Sequence, residues 1–366
     1  MPAFNPLRRA VAALCLASLA SLSSAADTAS VPDLLDLPAQ HNARAQTALQ
    51  LAVAQAGERL VAVGERGAVL LSDDQGRSWR QAGSVPVSVL LTDVDFVSAS
   101  HGWAVGHSGV ILHSSDGGET WQRQLDGRQA AQIILDDARQ RLAAGEEGAA
   151  AAVRSAEFLV SDGPDKPFLG VHFSDALHGY AVGAYGIAVV TADGGNSWQS
   201  LVGRIPNPRG KHLYQVQAGH GQLLVAGEQG ALFRSTDGGV QFSEVRTPYP
   251  GTFFGALSVD DNTLLAYGLR GNAWRSTDGG ASWEHIGLPH AVTLTAGLRL
   301  QDGSWLLADE SGGFLRSSDA GRTFVALQVQ AGAGLSGILE AADGALIISG
   351  SRGLSRIEPD AVVAGN

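Results

Sequence analysis

One structural unit recurs along the chain and constrains its fold more than any other feature. The unit is a short apolar strand, a Gly-x-x-Gly turn, a second apolar strand and a Ser/Thr-x-Asp-x-Gly-x-Ser/Thr-Trp box, as in GWAVGHSGVILHSSDGGETW from Gly102 to Trp121. Seven turns begin at Gly64, Gly106, Gly183, Gly227, Gly268, Asp309 and Gly350. A repeat of about 42 residues with four short strands is the length of one propeller blade. The sequence therefore predicts an all-β, seven-bladed β-propeller.

Each box carries one aspartate and one terminal aromatic residue. The aspartates are Asp74, Asp116, Asp193, Asp237, Asp278 and Asp319, and the aromatic residues are Trp79, Trp121, Trp198, Phe242, Trp283 and Phe324. The carboxylate can accept backbone N–H groups of its own turn, and the ring can be buried between neighbouring sheets. A calcium loop needs several carboxylates, whereas each box supplies one. We therefore interpret the boxes as structural and predict neither a metal site nor a cofactor.

The last copy of the repeat, ALIISGSRGLSRIEPD, lacks a box and ends after three candidate strands at 336–341, 345–350 and 354–358. A complete blade needs a fourth strand, and Val31–Leu37 is the candidate donor. Pairing of this segment with the last blade would remove an open sheet edge and tie the termini together. We therefore predict a propeller domain over residues 27–358, followed by a tail at 359–366.

One interval between boxes, the 77 residues from Trp121 to Trp198, is longer than the others. Its extra residues, 129–162, place alanines and larger apolar residues at helical spacing on both sides of Gly145–Gly148. We predict a helical hairpin inserted in the connection between two blades. The alternative is an eighth blade with strands at 133–135 and 141–144, but the missing box and the alanine content favour helices.

The N-terminus has the pattern of a secretory signal over residues 1–26, with Arg8 and Arg9, a short apolar run and a small-residue cleavage site. This predicts a periplasmic protein, since the run is too short to span a bilayer. The only cysteine, Cys15, lies within the signal. Cleavage would remove two positive charges and change the formal net charge from −11 to −13. Such acidity argues against nucleic acid as a partner.

The repeats GWAVGHSGVILHSSDGGETW and GYAVGAYGIAVVTADGGNSW, with SDGPDKPFLGVHF after the insertion, resemble the photosystem II stability/assembly factor propellers, in particular relatives from non-photosynthetic proteobacteria. The resemblance implies a ring that binds a membrane protein on its exported side and assists assembly. In proteobacteria it implies an accessory of an inner-membrane transporter. Photosynthetic members use an arginine-rich face. The matching turns here carry Arg66, Arg270 and Arg352, whereas others carry His107, Gln229 and Ser311.

A sialidase-like glycoside hydrolase is the alternative function, because sialidases share the box-bearing propeller. Their Arg-Ile-Pro motif occurs here at Arg204–Pro206, but it follows the third box and Gly203 precedes it. We therefore predict that the chain is not an enzyme. His101, His107 and His113 recur every six residues, but a turn between them prevents all three from lining one strand face, and we predict no metal site there.

The residues that break the repeat are the better candidates for binding a partner. The loop at 206–214 is basic and aromatic, and Tyr249–Phe254 places aromatic residues at the start of an innermost strand. We predict as partner-binding Arg209, Lys211, His212, Tyr214, Arg270 and Tyr185, since interfaces favour Arg and Tyr. The alternative is that the prolines shape a crossover and the phenylalanines pack in the core. The expected partner is a membrane protein or its assembly intermediate, and the chain itself is expected to be a monomer.

Overall fold

A computed structural model describes residues 32–361. The predicted signal and the last five residues lie outside this range. The described strands form seven antiparallel sheets, each a meander of neighbouring strands. This confirms the predicted seven-bladed β-propeller.

The first four blades are built as follows. Blade one contains β1 (Gln50–Ala56), β2 (Arg59–Gly64), β3 (Val69–Ser72) and β4 (Arg80–Gln81). Blade two contains β5 (Leu91–Phe96), β6 (Gly102–Gly106), β7 (Ile111–Ser114) and β8 (Gln122–Leu125). Blade three contains β9 (Phe168–Phe173), β10 (Gly179–Gly183), β11 (Ala188–Thr191) and β12 (Gln199–Ser200). Blade four contains β13 (Leu213–Gly219), β14 (Gln222–Gly227), β15 (Leu232–Ser235) and β16 (Ser243–Glu244).

The last three blades complete the ring. Blade five contains β17 (Phe253–Ser258), β18 (Leu264–Gly268), β19 (Ala273–Ser276) and β20 (Glu284–Ile286). Blade six contains β21 (Leu294–Arg299), β22 (Trp305–Asp309), β23 (Phe314–Ser317) and β24 (Val325–Ala326). Blade seven contains β25 (Leu335–Glu340), β26 (Leu346–Gly350) and β27 (Gly353–Ile357).

The first strand of each blade is innermost, and these strands contact one another around the ring, including β25 with β1. Side chains link some of them directly. The Asp93 carboxylate on β5 accepts the N–H of Val171 on β9 at 2.9 Å, together with its neighbour Val94 N–H at 2.9 Å. Burial raises the pKa of Asp93 to about 7, although both N–H groups favour its charged form.

The predicted closure of the ring by a strand at Val31–Leu37 is wrong. Residue 31 lies outside the described range, residues 32–33 have no regular structure and residues 34–37 form turns and bends. Blade seven has three strands within the described residues. Leu35 is instead 1% exposed in the core between blades one and two. Its carbonyl accepts a hydrogen bond from Arg123 at 2.6 Å. The two prolines, which lack a backbone N–H donor, and the buried Leu35 side chain favour an irregular segment over a paired strand.

Side chains close the seam between blades seven and one. The Arg356 guanidinium pairs with Asp343 and Glu358, each at 2.8 Å, and donates to Gln75 O in blade one at 2.6 Å. Arg77 of blade one also pairs with Asp343 at 2.9 Å. Near the channel, Ser336 Oγ donates to the carbonyl of the first β1 residue at 3.0 Å. The ring is therefore closed by an ion-pair network and by contacts of its inner strands.

The insertion is the predicted helical hairpin, and the eighth-blade alternative is wrong. It contains α1 (Gly127–Ala143) and α2 (Ala149–Asp162). Asp126 begins α1 with a capping box, in which its carboxylate accepts from the first turn and Gln129 reaches back to it. Five residues of α1 are buried, and four of them belong to the core of blades two and three: Ala130, Ile134, Leu135 and Ala138. In α2 only two residues are buried, and one of them, Ala156, joins the same core, so α2 contributes fewer buried residues to it than α1 does.

Candidate interaction face

The strand directions divide the ring into two faces. Successive antiparallel strands put the Gly-x-x-Gly turns and the connections between blades at one end, which we call the turn face. The boxes and the hairpins that follow the first strands lie at the other end, the box face. Both surfaces proposed from the sequence, the 206–214 loop and the Arg-bearing turns, therefore lie on the turn face, as does the start of the helical hairpin.

The third residue of most turns adopts a left-handed backbone conformation. The residues are Arg66, Ser108, Tyr185, Gln229 and Arg270, with φ between 53° and 58°. Ser108, not His107, is therefore the residue of blade two that matches the arginine positions. This conformation costs a residue with a side chain roughly 1–2 kcal/mol, and glycine would avoid that cost. Such strain points to a function for these side chains, above all for the bulky ones.

Four rings form a continuous row on the turn face, which we call the aromatic row: Tyr185, His212, Tyr214 and Phe254. The centroids of Tyr185 and His212 are 4.8 Å apart with ring planes at 73°. His212 and Tyr214 follow at 6.5 Å, and Tyr214 and Phe254 at 5.1 Å with planes at 62°. Edge-to-face contacts of this kind add to the energy of burial. The row spans blades three to five and brings together three predicted residues.

His212 fixes the outer end of the aromatic row. Its Nδ1 accepts the backbone N–H of Tyr185 at 2.9 Å. The backbone N–H of His212 in turn donates to the Glu228 carboxylate at 2.9 Å. The strained turn of blade three is therefore held by the crossover loop that leads into blade four.

The inner end of the row depends on a bulge that every blade repeats. The second residue of each innermost strand lies opposite no partner residue, since the register skips it. These residues ring the channel mouth: Leu51, Thr92, Leu169, Tyr214, Phe254, Thr295 and Ser336. A bulge re-aims the side chain it carries. Phe254 is half-buried there, whereas its neighbour Phe253 is fully buried. The alternative that the phenylalanines pack in the core therefore applies to Phe253, while Phe254 remains partly open.

The predicted cations of the turn face differ in exposure. Arg209 and Arg270 are exposed, as expected for residues that meet a partner. Lys211, which was also predicted to bind the partner, is only 6% exposed, and its ammonium donates to Gln229 O at 3.1 Å. Burial, and then the charge of Arg209, lower the pKa of Lys211. Lys166, which the sequence did not single out, lies 5.0 Å over the Tyr185 ring and pairs with Asp162 at 3.1 Å.

The box face carries the repeated aspartates in a self-contained geometry. Asp74 accepts from the Ser78 hydroxyl at 2.5 Å, the Ser78 N–H at 2.8 Å and the Ser72 hydroxyl at 2.8 Å. These hydrogen bonds, that of the Ser78 hydroxyl first, lower the pKa of Asp74 to about 2. The bonds of Asp278 repeat this pattern. The geometry supports the structural interpretation, because the carboxylate oxygens are used within the turn.

The other candidates from the sequence remain local contacts. His101 and His113 approach each other, with 3.3 Å between Nδ1 and Nε2, while His107 lies in the turn at the opposite end of the blade. Among residues 32–361, no group of three or more His, Cys, Asp or Glu is placed to hold a metal. The Arg204 guanidinium meets Gln199 at 3.4 Å, and its carbonyl accepts the Phe242 N–H at 3.0 Å.

Comparison with family models gives one match, described as "Photosynthesis system II assembly factor YCF48", over residues 81–141 and 159–355. The matched residues make up more than half of the chain. The chain belongs to this family. The gap in the match, residues 142–158, covers the end of α1, the turn and most of α2, so the YCF48 family model covers most of the blades and most of α1.

Solved structures with the same fold include YCF48 proteins. One, a YCF48 bound to a D1 peptide, has a TM-score of 0.61 at 17% identity and covers 86% of this chain and 94% of its own. YCF48 from Cyanidioschyzon merolae has a TM-score of 0.62 at 14% identity, with 88% and 99% covered. A streptogramin B lyase is similar at 0.62 and 14%, with 87% and 96% covered. At these identities the likeness concerns the fold, which serves both YCF48 proteins and an enzyme.

Comparison with curated protein sequences gives no match. Within residues 32–361, no helix is long and apolar enough to cross a membrane.

Proposed function

We propose that this chain is an exported, non-enzymatic assembly factor that captures a segment of a membrane protein on its turn face. Its membership of the YCF48 family supports an assembly role. The complex of a related propeller with a D1 peptide supports a membrane protein as the partner. The observation that carries the proposal is the aromatic row, because it lies where the chain departs from its own repeat.

The composition of the turn face suits a protein partner. Tyr and Arg are enriched in the residues that dominate binding energy, and Tyr185 and Arg270 hold such side chains in exposed turns. Tyr185 is 62% exposed. A rigid ring orders these side chains before binding, which lowers the entropy cost of forming a complex. The proteobacterial resemblance makes an inner-membrane transporter the partner class to test first.

Capture from detergent-solubilised inner membranes, followed by mass spectrometry, tests the proposal. The bait is the tagged chain without residues 1–26, compared with its Tyr185→Ala/Phe254→Ala double variant. The matched control is Ser311→Ala/Thr295→Ala, which changes a turn and a channel-mouth position of blade six. We expect one membrane protein to be captured by the wild type and the control, and lost with the double variant. Equal capture by all three baits would refute the turn face as the docking surface.

The periplasmic location and the monomeric state belong to the same proposal. A C-terminal reporter that is active only after export should give signal with residues 1–26 present and lose it when they are deleted. Light scattering of the purified chain should give the mass of one chain. A cytoplasmic reporter signal would contradict export, and a dimer would require the turn face to be re-examined as a self-interface.

The enzymatic alternative is tested separately, because propellers of the same fold include a lyase. Purified protein should leave aryl sialosides uncleaved, and Arg204→Ala should leave partner capture unchanged. Turnover that disappears in the Arg204 variant would replace the platform function with glycoside hydrolysis.

A further inference from the structure

We infer that the turn face recognises one short extended segment of its partner, in which an apolar side chain lies between acidic ones. The apolar side chain would lie over Tyr214 and Phe254, and the acidic groups beside Arg209 and Arg270. This inference rests on the proposed function and names the chemistry of its partner.

The channel mouth is divided into two arcs, and this division places the apolar side chain. Of its seven bulged residues, Leu169, Tyr214 and Phe254 belong to consecutive blades and form an apolar arc. Leu51 of blade one is a fourth apolar residue, and the other three positions carry hydroxyls, two of which bond to the next inner strand. Thr92 donates to Phe168 O at 2.7 Å, and Ser336 donates to Gln50 O at 3.0 Å. The small side chains thus bond to neighbouring strands of the propeller. The side chains of Tyr214 and Phe254 instead contact each other and remain partly exposed.

The partial burial of the apolar arc suits contact with an apolar side chain. Tyr214 and Phe254 are half-buried, so each ring is supported by the ring of blades and still leaves surface open to a partner. Aromatic side chains of this kind dominate the binding energy of many protein interfaces.

The exposed positive charges of the turn face indicate where the acidic groups of the partner segment would bind. Arg209 and Arg270 are exposed on the turn face. The carboxylate of Glu228, which lies near Lys211 and Tyr214, accepts the backbone N–H of His212, so it is used within the propeller. The chain as a whole is acidic, with a formal net charge of −11. Two exposed arginines therefore make this part of the turn face attractive to an acidic segment that the rest of the surface repels.

Fluorescence anisotropy with three labelled peptides tests the inference. The probe is Gly-Ser-Asp-Glu-Leu-Phe-Asp-Glu-Gly-Ser. In one companion, Ser replaces Leu and Phe, and in the other, Asn and Gln replace Asp and Glu. We expect the probe to bind about tenfold more tightly than either companion, equivalent to about 1.4 kcal/mol. The preference over the amide peptide should shrink as salt is added. Equal binding of the three peptides would overturn the inference.

Variants at the proposed contacts, each with a control at the equivalent position of another blade, test where the peptide binds. Phe254→Ala and Arg270→Gln should each weaken probe binding about fivefold or more, whereas the equivalents Thr295→Ala in blade six and Arg352→Gln in blade seven should change it less than about twofold. If Phe254→Ala fails to fold, Phe254→Thr replaces it, since threonine occupies the same bulged position in blades two and six. Equal losses in the variants and their matched controls would overturn the inference.

The two levels of the proposal fail differently. If capture of the membrane protein depends on the aromatic row but the peptides show no preference, the proposed function stands and the inference is wrong. If the probe binds as expected but no membrane protein is captured, the inference stands and the assembly role is wrong.

Discussion

Replacing Trp121 with alanine tests whether the box aromatics hold the blades together. Trp121 is 3% exposed and lies in the core shared by blades one and two. Its ring meets Phe96 edge-to-face at 6.0 Å, and its indole N–H donates to Gly118 O at 2.9 Å. Truncating a buried tryptophan costs about 3–5 kcal/mol, since it leaves a cavity and removes these contacts. We therefore expect about 4 kcal/mol of lost stability.

This loss converts into a measurable thermal shift. Unfolding entropy is about 2.1 cal/mol/K per residue, or about 0.7 kcal/mol/K for a ring of this size, so 4 kcal/mol lowers Tm by about 6 °C. Calorimetry and urea unfolding followed by far-UV circular dichroism measure the shift.

The matched control is Trp79→Ala, at the same repeat position of blade one. Trp79 is only half-buried, at the seam with blade seven, and should cost about half as much. The reasoning fails if the two variants lose equal stability, or if Trp121→Ala loses less than about 1 kcal/mol.

Four further predictions follow from individual contacts. Trp198→Phe should cost less than Trp121→Phe in urea midpoint, because the Trp198 indole N–H is buried without a hydrogen-bond partner. Arg356→Gln should cost about 2 kcal/mol by opening the seam network, against less than about 0.5 for the exposed Arg352→Gln. Asp93 has a folded pKa of about 7, above its unfolded value, so stability should fall as pH rises from about 4 to 7. Asp93→Asn should flatten that part of a pH series of urea midpoints. Deleting 149–160 with a short Gly-Ser bridge should keep the ring folded by circular dichroism, whereas deleting 131–160 should destabilise it strongly, since only the longer deletion removes the buried residues of α1.

The blades could be predicted from the sequence because each repeat depends on contacts between residues that are close in the chain. Each turn and each box is built by residues close in the chain, so counting them located seven sheets and the helical insertion. The ring closure was mispredicted because it depends on distant residues. Arg356 meets Gln75 across 281 residues, and no spacing in the sequence marks that contact. Leu35 likewise reads as a strand residue until its place between two blades is known.

Three of the four residues of the aromatic row were predicted, and the fourth was missed for the same reason. Tyr185, His212 and Tyr214 were selected as departures from the repeat, while Phe254 was assigned to a segment with an open interpretation. One signal was available: the channel-mouth residues precede the first residue of the following turn by 13 or 14 positions in every blade. Counting back from Gly227 and Gly268 gives Tyr214 and Phe254. The burial of Lys211 could not be counted in this way, since it depends on the carbonyl of a neighbouring turn.

Comparison of the copies within this one chain separates scaffold from function. The six boxes carry the same aspartate, and its hydrogen bonds show why each copy needs it. The third turn position carries Arg, Ser, Tyr, Gln, Arg, Ser and Arg in succession, although five of these seven share one left-handed backbone conformation. Since the same backbone is built with different side chains, folding does not dictate those side chains, and glycine would suit the conformation better. The turn-face side chains that differ between blades are therefore the ones we expect to determine which partner binds.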